Sequence, residues 1–389
     1  MRILYIVDNY YPHIGGGELL FQQLAEGVVA RGHTATVLSP KNFPDYLDSE
    51  VHHGVRIIRQ RVPLFAQRYF FTLWAIGKAV RLARQHDLIH TATYNAIFVA
   101  WVARLLTRRR AVVTVYEIWN TKWYSLSVAK RWKAHLLRLF ERTLLSFPFD
   151  RTICISNSTL RDYQELFPRK AALRIYPGVD YADIEAFRLS DEARQAFRDA
   201  NGYPPGQFVV LGFGRPGISK GFDYLVEAVP EVLRAQPDIQ FKFIWPSAPN
   251  FISLREALVD RLASFNVPDS VAVLDKQSRA NLFAHIQAAD CVVIPSVAEG
   301  FGYAAIEACL LAQYTVVTTA GSLPEVANGS VVQVPPADHR ALAEGILRVY
   351  QRDVPTLPRK TFTNEAMIEQ HLRLYGSLLG KAEPITSGV

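Results

Sequence analysis

Cysteine and methionine are scarce in this sequence, three and two residues in 389, and no apolar run approaches the roughly 18–20 residues that span a bilayer. Cys154, Cys291 and Cys309 are too few and too scattered for a bridged framework or a structural metal site. Each sits in an apolar stretch, which reads as a buried, reduced thiol and fits a reducing compartment. The longest apolar candidate, Ala96 to Leu106, is broken by Arg104. No Asp-x-Asp pair is placed to hold a divalent ion, so the expected chemistry uses no metal and no cofactor. Met1-Arg2 runs directly into a strand pattern, Ile-Leu-Tyr-Ile-Val-Asp, without a signal peptide's cleavage site. The expected location is cytoplasmic. Collagen, coiled coil and disulfide scaffold are excluded by composition.

What is present is material for two cores: 49 % hydrophobic, 12 % aromatic and only 20 % charged residues. At roughly 100–200 residues per domain, 389 residues suggest two. The net charge of +7 is uneven. Residues 1–200 hold 28 Lys+Arg against 18 Asp+Glu, and residues 201–389 hold 15 against 18. The excess concentrates between 100 and 145, where ten basic residues face only Glu117 and Glu141. Such asymmetry points to an anionic partner for the first half. No nucleic-acid recognition motif is present, so nucleic acid is not expected. From Ser127 to Phe147, Lys130, Arg131, Lys133, Arg138 and Arg142 alternate with leucines and Phe140, and Trp119, Trp123, Tyr124 and Trp132 lie within or just before the stretch. A basic amphipathic helix with aromatics resembles one that lies on a membrane surface; the competing reading is a core helix with a basic solvated face. On the first reading residues 100–145 place the protein peripherally on the inner face of the membrane.

Short β-rich runs alternate with helical ones along the whole chain, the pattern of parallel sheets covered by helices. Strands are expected at Arg2–Val7, Thr34–Leu38, Val55–Arg59, Asp87–His90, Ala111–Val115, Thr152–Ser156 and Ala172–Ile175, then at Phe208–Gly212, Ile239–Ile244, Val271–Leu274, Cys291–Ile294, Thr315–Thr318 and Val331–Val334. Helices expected between them include Glu18–Arg31, Tyr69–Gln85 and Val128–Leu145. Gly202-Tyr203-Pro204-Pro205-Gly206 breaks the chain before the second set. The expected domains are 1–185 and 200–361, with 362–380 as a closing helical segment. Ligands of such tandem α/β domains are expected in the cleft between them, at the carboxyl ends of the strands.

Three segments carry chemistry. Glu299-Gly300-Phe301-Gly302-Tyr303-Ala304-Ala305-Ile306-Glu307 follows a strand and opens a helix. Its glycines let backbone approach a ligand, and the helix start offers N–H groups to an anion. Two carboxylates flanking such a turn suit a ligand with phosphates in the middle and hydroxyls at each end, the layout of a nucleotide sugar. Gly212-Phe213-Gly214-Arg215-Pro216-Gly217-Ile218-Ser219-Lys220-Gly221 is a glycine-rich turn with two cations five residues apart: Arg215 a fork for phosphate oxygens, Lys220 a point charge. It matches neither the Walker lysine pattern nor the dinucleotide GxGxxG. The third, Pro12-His13-Ile14-Gly15-Gly16-Gly17-Glu18, reads as an anion site or a tight turn.

In this order the features resemble the retaining glycosyltransferases of family four. The resemblance implies the GT-B fold: two facing Rossmann-like α/β domains with an interdomain cleft, an acceptor-binding first domain, a nucleotide-sugar-binding second domain, and a last helix that crosses back to the first. The family's Glu-x7-Glu element matches Glu299 and Glu307, which implies hydroxyls of the transferred sugar for the first and the nucleotide ribose for the second. Its diphosphate-binding Arg and Lys match Arg215 and Lys220, beside Gly214, and its first glycine loop matches Gly15, Gly16 and Gly17; Gly300, Phe301 and Gly302 complete the donor turn. Glu299, Arg215 and Lys220 are the residues expected to carry catalysis. Three departures stand out. Tyr116 replaces the histidine usual after Val113-Thr114-Val115, Pro177 replaces an asparagine in Ile175-Tyr176-Pro177-Gly178-Val179-Asp180, and Trp245-Pro246-Ser247 stands where a glycine is expected, at the rim around the base. The implied reaction moves a sugar from a UDP- or GDP-sugar to an acceptor hydroxyl with retention, in cell-surface glycan or glycolipid synthesis, the sugar-bearing acceptor being lipid-linked or soluble. The alternatives are a sugar-nucleotide epimerase and a non-catalytic sugar-nucleotide or membrane-binding module.

Overall fold

The computed structural model describes residues 1–13, 15–63, 67–125, 131–248 and 251–381. The chain divides into two units, Met1–Val179 joined by the chain from Phe362 onward, and Asp180–Thr361. Each is a sheet with helices on both faces.

The first unit's strands are β1 (Arg2–Ile6), β2 (Thr34–Pro40), β3 (Ser49–His52), β4 (Val55–Gln60), β5 (Leu88–Ala92), β6 (Arg110–Val115), β7 (Arg151–Cys154) and β8 (Ala172–Arg174). They lie in the order β3-β4-β2-β1-β5-β6-β7-β8, parallel except for the β3–β4 hairpin. All seven strands expected in this half are present. The one missed, β3, reads Ser-Glu-Val-His and alternates exposed with half-buried, because an edge strand lacks the two-sided burial that marks the others. The helix expected over Tyr69–Gln85 is two helices, Gln67–Trp74 and Ile76–Gln85. On one face, helices Ile76–Gln85 and Ala96–Thr107 bring Ala79, Ala83, Ala100 and Ala103 into a core with Leu4, Ile6 and Ile89. Farther along the same face, Val113, Val115 and Cys154 meet Ile97, Leu144, Leu145 and Tyr163.

The last helix, Asn364–Leu378, returns to this unit as expected. Thr363 Oγ1 caps it by accepting from Ala366 N, 3.2 Å, and Gly27 leaves the space that Ile368 fills: a Cβ there would lie 2.1 Å from Ile368 Cδ1. Buried polar bonds fix the seat. Tyr375 Oη and His90 Nδ1 share a hydrogen bond of 2.6 Å, and His90 Nε2 bonds Thr114 Oγ1 at 2.8 Å. Burial holds His90 well below the usual histidine range and His371, next to it, down to about 4. Above pH 6.5 both folded and unfolded forms keep His371 neutral. Between pH 6.5 and 4 only the unfolded chain takes up the proton, so stability falls with pH by about 1.4 kcal/mol per unit, roughly 3 kcal/mol in all for this group. Urea midpoints measured from pH 7 to pH 4 are expected to fall, with a shallower fall in His371→Phe.

The second unit holds β9 (Val209–Phe213), β10 (Gln240–Ile244), β11 (Val271–Leu274), β12 (Cys291–Ile294), β13 (Thr315–Thr318), β14 (Gly329–Val334) and β15 (Thr356–Leu357) in the order β11-β10-β9-β12-β13-β14-β15. All pairs are parallel but the short β14–β15. Helices Tyr181–Glu185 and Asp191–Ala200, which the sequence pattern does not announce, pack on this unit: Leu189 N donates to Gln287 Oε1 at 2.8 Å and Arg198 pairs with Asp290 at 3.3 Å. Trp245 corrects an expectation. Instead of standing at a rim it is fully buried, stacked 4.4 Å from Phe243 and edge-on to Phe222 at 5.4 Å, a core residue in the helix–sheet layer. In both sheets the strand order reverses once in the middle, between β1 and β5 and between β9 and β12. Open α/β sheets usually hold their ligands outside the carboxyl ends of such a strand pair.

Candidate functional site

Two of the chemistry-bearing segments leave the second sheet at its switch point: Gly214–Gly221 follows β9, and Pro295–Gly302 follows β12. Backbone bonds tie them together, Val297 N and Ala298 N both donating to Ser219 O at 2.8 and 3.2 Å. The approach is close enough to require glycine. Gly221 has φ +64°, and a Cβ on it would lie 2.1 Å from Pro295 O.

Glu299 is held from three directions. Lys220 Nζ donates to its Oε2 at 2.7 Å, and Ser296 Oγ donates to the same oxygen at 3.3 Å. Its carbonyl accepts from Ser322 N and Ser322 Oγ, 3.1 and 3.2 Å, in the loop after β13. Gly321, at φ +54°, makes that approach feasible: a Cβ there would sit 2.1 Å from Glu299 O. The carboxylate is 15 % exposed and the ammonium 33 %, so the pair is a fixed, partly desolvated charge arrangement with donors of Lys220 still facing solvent. Ser322 and Gly321 were missed in the sequence. A Gly-Ser in a loop after a strand carries no mark of the carbonyl that it serves.

Arg215 lies on the same loop as Lys220 but is exposed, and its guanidinium has no hydrogen bond or ion pair among the described residues. Gly300, Phe301 and Gly302 are buried, and Gly302, at φ +100°, starts the helix Tyr303–Leu311, whose first N–H groups have no side-chain cap. Glu307 stands on that helix. Burial pushes its carboxyl up to about 7, against a lowering contribution from Arg279. No hydrogen bond joins it to Glu299 or Lys220 among the described residues, so the structure joins the first carboxylate to a cation and leaves the second apart.

In the first unit, Asp8 after β1 accepts from Tyr94 N and Asn95 N after β5, 3.2 and 3.0 Å, which locks that switch point. Gly15, in extended conformation, caps the helix Gly16–Ala30; Ile14 is outside the described residues. Tyr116 reaches this glycine turn. Its hydroxyl donates to Gly17 O at 3.3 Å, and a Cβ on Gly17 would lie 2.9 Å from its ring, so glycine and tyrosine are fitted to each other.

Of the helix expected over Val128–Leu145, residues 128–130 lie outside the described ones; from Arg131 to Ser146 the chain is helical. Ala134, Glu141, Leu144 and Leu145 are its buried stripe. Glu141, counted in the sequence only as an isolated acid, is a buried anchor: it accepts from Trp119 N (2.9 Å), Asn120 N (2.7 Å) and Trp123 Nε1 (3.3 Å), and burial pushes its carboxyl up. Its position three and four residues before Leu144 and Leu145, and seven after Ala134, was the available signal. Trp132, Leu136, Leu139 and Phe140 are instead exposed, 57, 54, 55 and 46 %. No helix among the described residues is long and apolar enough to cross a membrane.

Comparison with known proteins covers both units. The profile of Glycosyltransferase Family 4 matches residues 14–183, and that of Glycosyl transferases group 1 matches residues 207–352. A glycosyltransferase of Methanocaldococcus jannaschii is 26 % identical over 90 % of this chain and 89 % of its own length. A D-inositol 3-phosphate glycosyltransferase of Corynebacterium urealyticum is 28 % identical over 87 % of this chain and 83 % of its own. Among solved structures, sucrose-phosphate synthase of Thermosynechococcus elongatus superposes with a TM-score of 0.80 at 22 % identity, covering 98 % of this chain and 100 % of that one. The Anabaena protein HepE in complex with UDP and glucose gives 0.72 at 20 % identity, covering 97 % and 100 %. These likenesses establish the two-domain GT-B fold.

Proposed function

This chain belongs to the glycosyltransferases of family four, and we propose that it moves a sugar from a nucleoside diphosphate to an acceptor hydroxyl with retention of configuration. The observation that carries this reading is the Lys220–Glu299 pair at the β9/β12 switch point, with an unengaged guanidinium, Arg215, on the same loop. A sugar diphosphate meets that arrangement group by group. Arg215 and the remaining donors of Lys220 take phosphate oxygens, with the start of the helix Tyr303–Leu311 as a further source of N–H groups. Glu299, fixed by Ser322 and Lys220, accepts from hydroxyls of the transferred sugar. Glu307 serves the ribose. Gly15, Gly16, Gly17 and Tyr116 form a nucleotide-binding turn of the first unit itself.

As the glycosidic bond breaks, its electron pair goes to the diphosphate oxygen, and the negative charge that grows there is larger in the transition state than in the ground state. Fixed cations therefore lower the barrier rather than merely tightening binding. With retention, the acceptor oxygen attacks from the face that the diphosphate leaves, and the departing phosphate oxygen takes the acceptor's proton. UDP is favoured as the leaving nucleotide by HepE, whose structure holds UDP and glucose; GDP is the second donor class to test.

The acceptor is anionic or lipid-linked on this reading. The corynebacterial relative is named for inositol 3-phosphate, and the first 200 residues here carry ten more basic than acidic side chains. The exposed Trp132, Leu136, Leu139 and Phe140, beside the exposed Arg131, Lys133 and Arg142, form a face suited to an anionic bilayer surface. Each such cation adds about 1 kcal/mol near an anionic leaflet. Incubation with labelled UDP- and GDP-sugars and a lipid extract is expected to yield a glycosylated lipid; a free epimer, or donor binding without product, would contradict the proposal. Vesicles rich in phosphatidylglycerol are expected to float the protein at low salt, with at least tenfold less bound after Leu136→Glu with Phe140→Glu. Equal recovery of both proteins would remove the membrane face.

A further inference from the structure

The helix Gly16–Ala30 and the β3–β4 hairpin bring together three side chains that the reaction does not use. Glu26 Oε2 lies 3.1 Å from His53 Nδ1, and Glu26 Oε1 lies 3.9 Å from His52 Nε2. One ligand atom from each of the three falls within 4.8 Å of the others. We propose that Glu26, His52 and His53 form a binding site for a borderline divalent transition ion, Zn2+ in the first instance, with a fourth position open to water.

The chemistry of the donors selects the ion. Two imidazole nitrogens and one carboxylate oxygen are a standard three-protein-ligand set for Zn2+, whereas Mg2+ and Ca2+ demand oxygen ligands. Around tetrahedral Zn2+, bonds of about 2.0–2.1 Å place ligand atoms about 3.3 Å apart. His53 Nδ1 already lies at that distance from Oε2; His52 Nε2 lies 3.9 Å from the other carboxylate oxygen, and the three ligand atoms, all within 4.8 Å of one another, close by up to about 1.5 Å to hold one ion.

The supports are built rather than incidental. His52 is stacked on Tyr11, ring centroids 3.7 Å apart, and His53 on His52 at 4.0 Å, so both imidazoles stand side by side next to the carboxylate, and a rotation about χ2 in each turns its nitrogen toward one ion. His53 has φ +45° and Gly54 φ +77°, so they form a tight hairpin turn in which both central residues are left-handed. Asn-Gly is the usual pair there; this chain places a histidine in the strained position, turned toward the helix. The turn is seated on that helix, since a Cβ on Gly54 would lie 2.7 Å from Val29 Cγ1. Gln22 Nε2 donates to Glu26 Oε1 at 3.0 Å, an outer partner that orients the carboxylate. A bound ion would cross-link the sheet edge to the helix whose first residues are Gly16 and Gly17, and so stabilise the folded unit by mass action.

The test uses the tag-free full chain after chelation and dialysis. Zn2+ is titrated calorimetrically, Co2+ spectroscopically, and melting is followed with Zn2+ or Mg2+. One ion per chain, a tetrahedral Co2+ spectrum, and a Tm raised by Zn2+ but not by Mg2+ are expected. Glu26→Gln, His52→Phe, which keeps the stack on Tyr11, and His53→Asn, which keeps the left-handed turn, should each weaken Zn2+ binding by about 100-fold or more, the upper end of what outer partners alone cost. Metal-free melting checks that each variant folds. The proposal is overturned by the absence of saturable Zn2+ binding to the unaltered chain, or by folded variants that bind as tightly as it does. It is equally overturned if Mg2+ raises Tm as much as Zn2+ does.

Discussion

Replacing Arg215 by alanine is expected to lower sugar transfer by about 100- to 1000-fold while leaving the protein as stable as before. The rate effect follows from the proposed role. A preorganised donor aimed at charge that develops in the transition state contributes about 2.7–4 kcal/mol. The unchanged stability follows from the structure, where Arg215 is exposed and its guanidinium engages no side chain or carbonyl among the described residues. Arg215→Lys should recover only part of the loss, because an ammonium cannot offer two parallel N–H groups to one phosphate. Lys220→Ala is less informative, since it also strips Glu299 of its partner 2.7 Å away. Near-normal turnover in folded Arg215→Ala would mean that the charge of the leaving group is met elsewhere.

Gly321→Ala is expected to do comparable damage by another route. The new methyl group would meet Glu299 O at 2.1 Å and its N and C at 3.1 Å, and the residue would have to keep φ +54°. The obstacle is backbone, so no rotamer change relieves it. The Glu299 loop must move, Ser322 then loses its bonds to Glu299 O, and the carboxylate is displaced from the sugar. A displacement near 1 Å costs about 100-fold in rate, and the left-handed conformation alone costs about 1–2 kcal/mol. Gly206→Ala separates the two effects. Gly206 also has positive φ, +74°, but nothing lies within 4 Å of the point where its methyl group would sit; that variant should lose a little stability and no activity. Equal activity in both variants would disconnect the Gly321 contact from function.

The sheets were legible in the sequence because their central strands are apolar on both faces; β1, β9 and β12 need no pattern finer than a run of Val, Ile, Leu and their like. The polar edge strand β3 and the two-residue β15 lack that signature and were missed. Of the candidate site, the sequence marks the two segments whose side chains the structure pairs, Lys220 on one and Glu299 on the other, while Glu307 stands apart from that pair. The structure was illegible where partners come from distant segments: Ser322 under Glu299, Glu141 under Trp119 and Asn120, and Tyr375 against His90, 285 positions away. Trp245 misled because substitution of a small residue in a loop reads as a change at the surface, whereas here the indole is drawn into the core beside Phe222 and Phe243.

The most direct measurement is a crystal structure of the protein soaked with UDP or GDP. The pyrophosphate oxygens are expected within hydrogen-bond distance of the Arg215 guanidinium and Lys220 Nζ, with the ribose hydroxyls on Glu307. A nucleotide bound with its phosphates away from both cations would contradict the reading of this site.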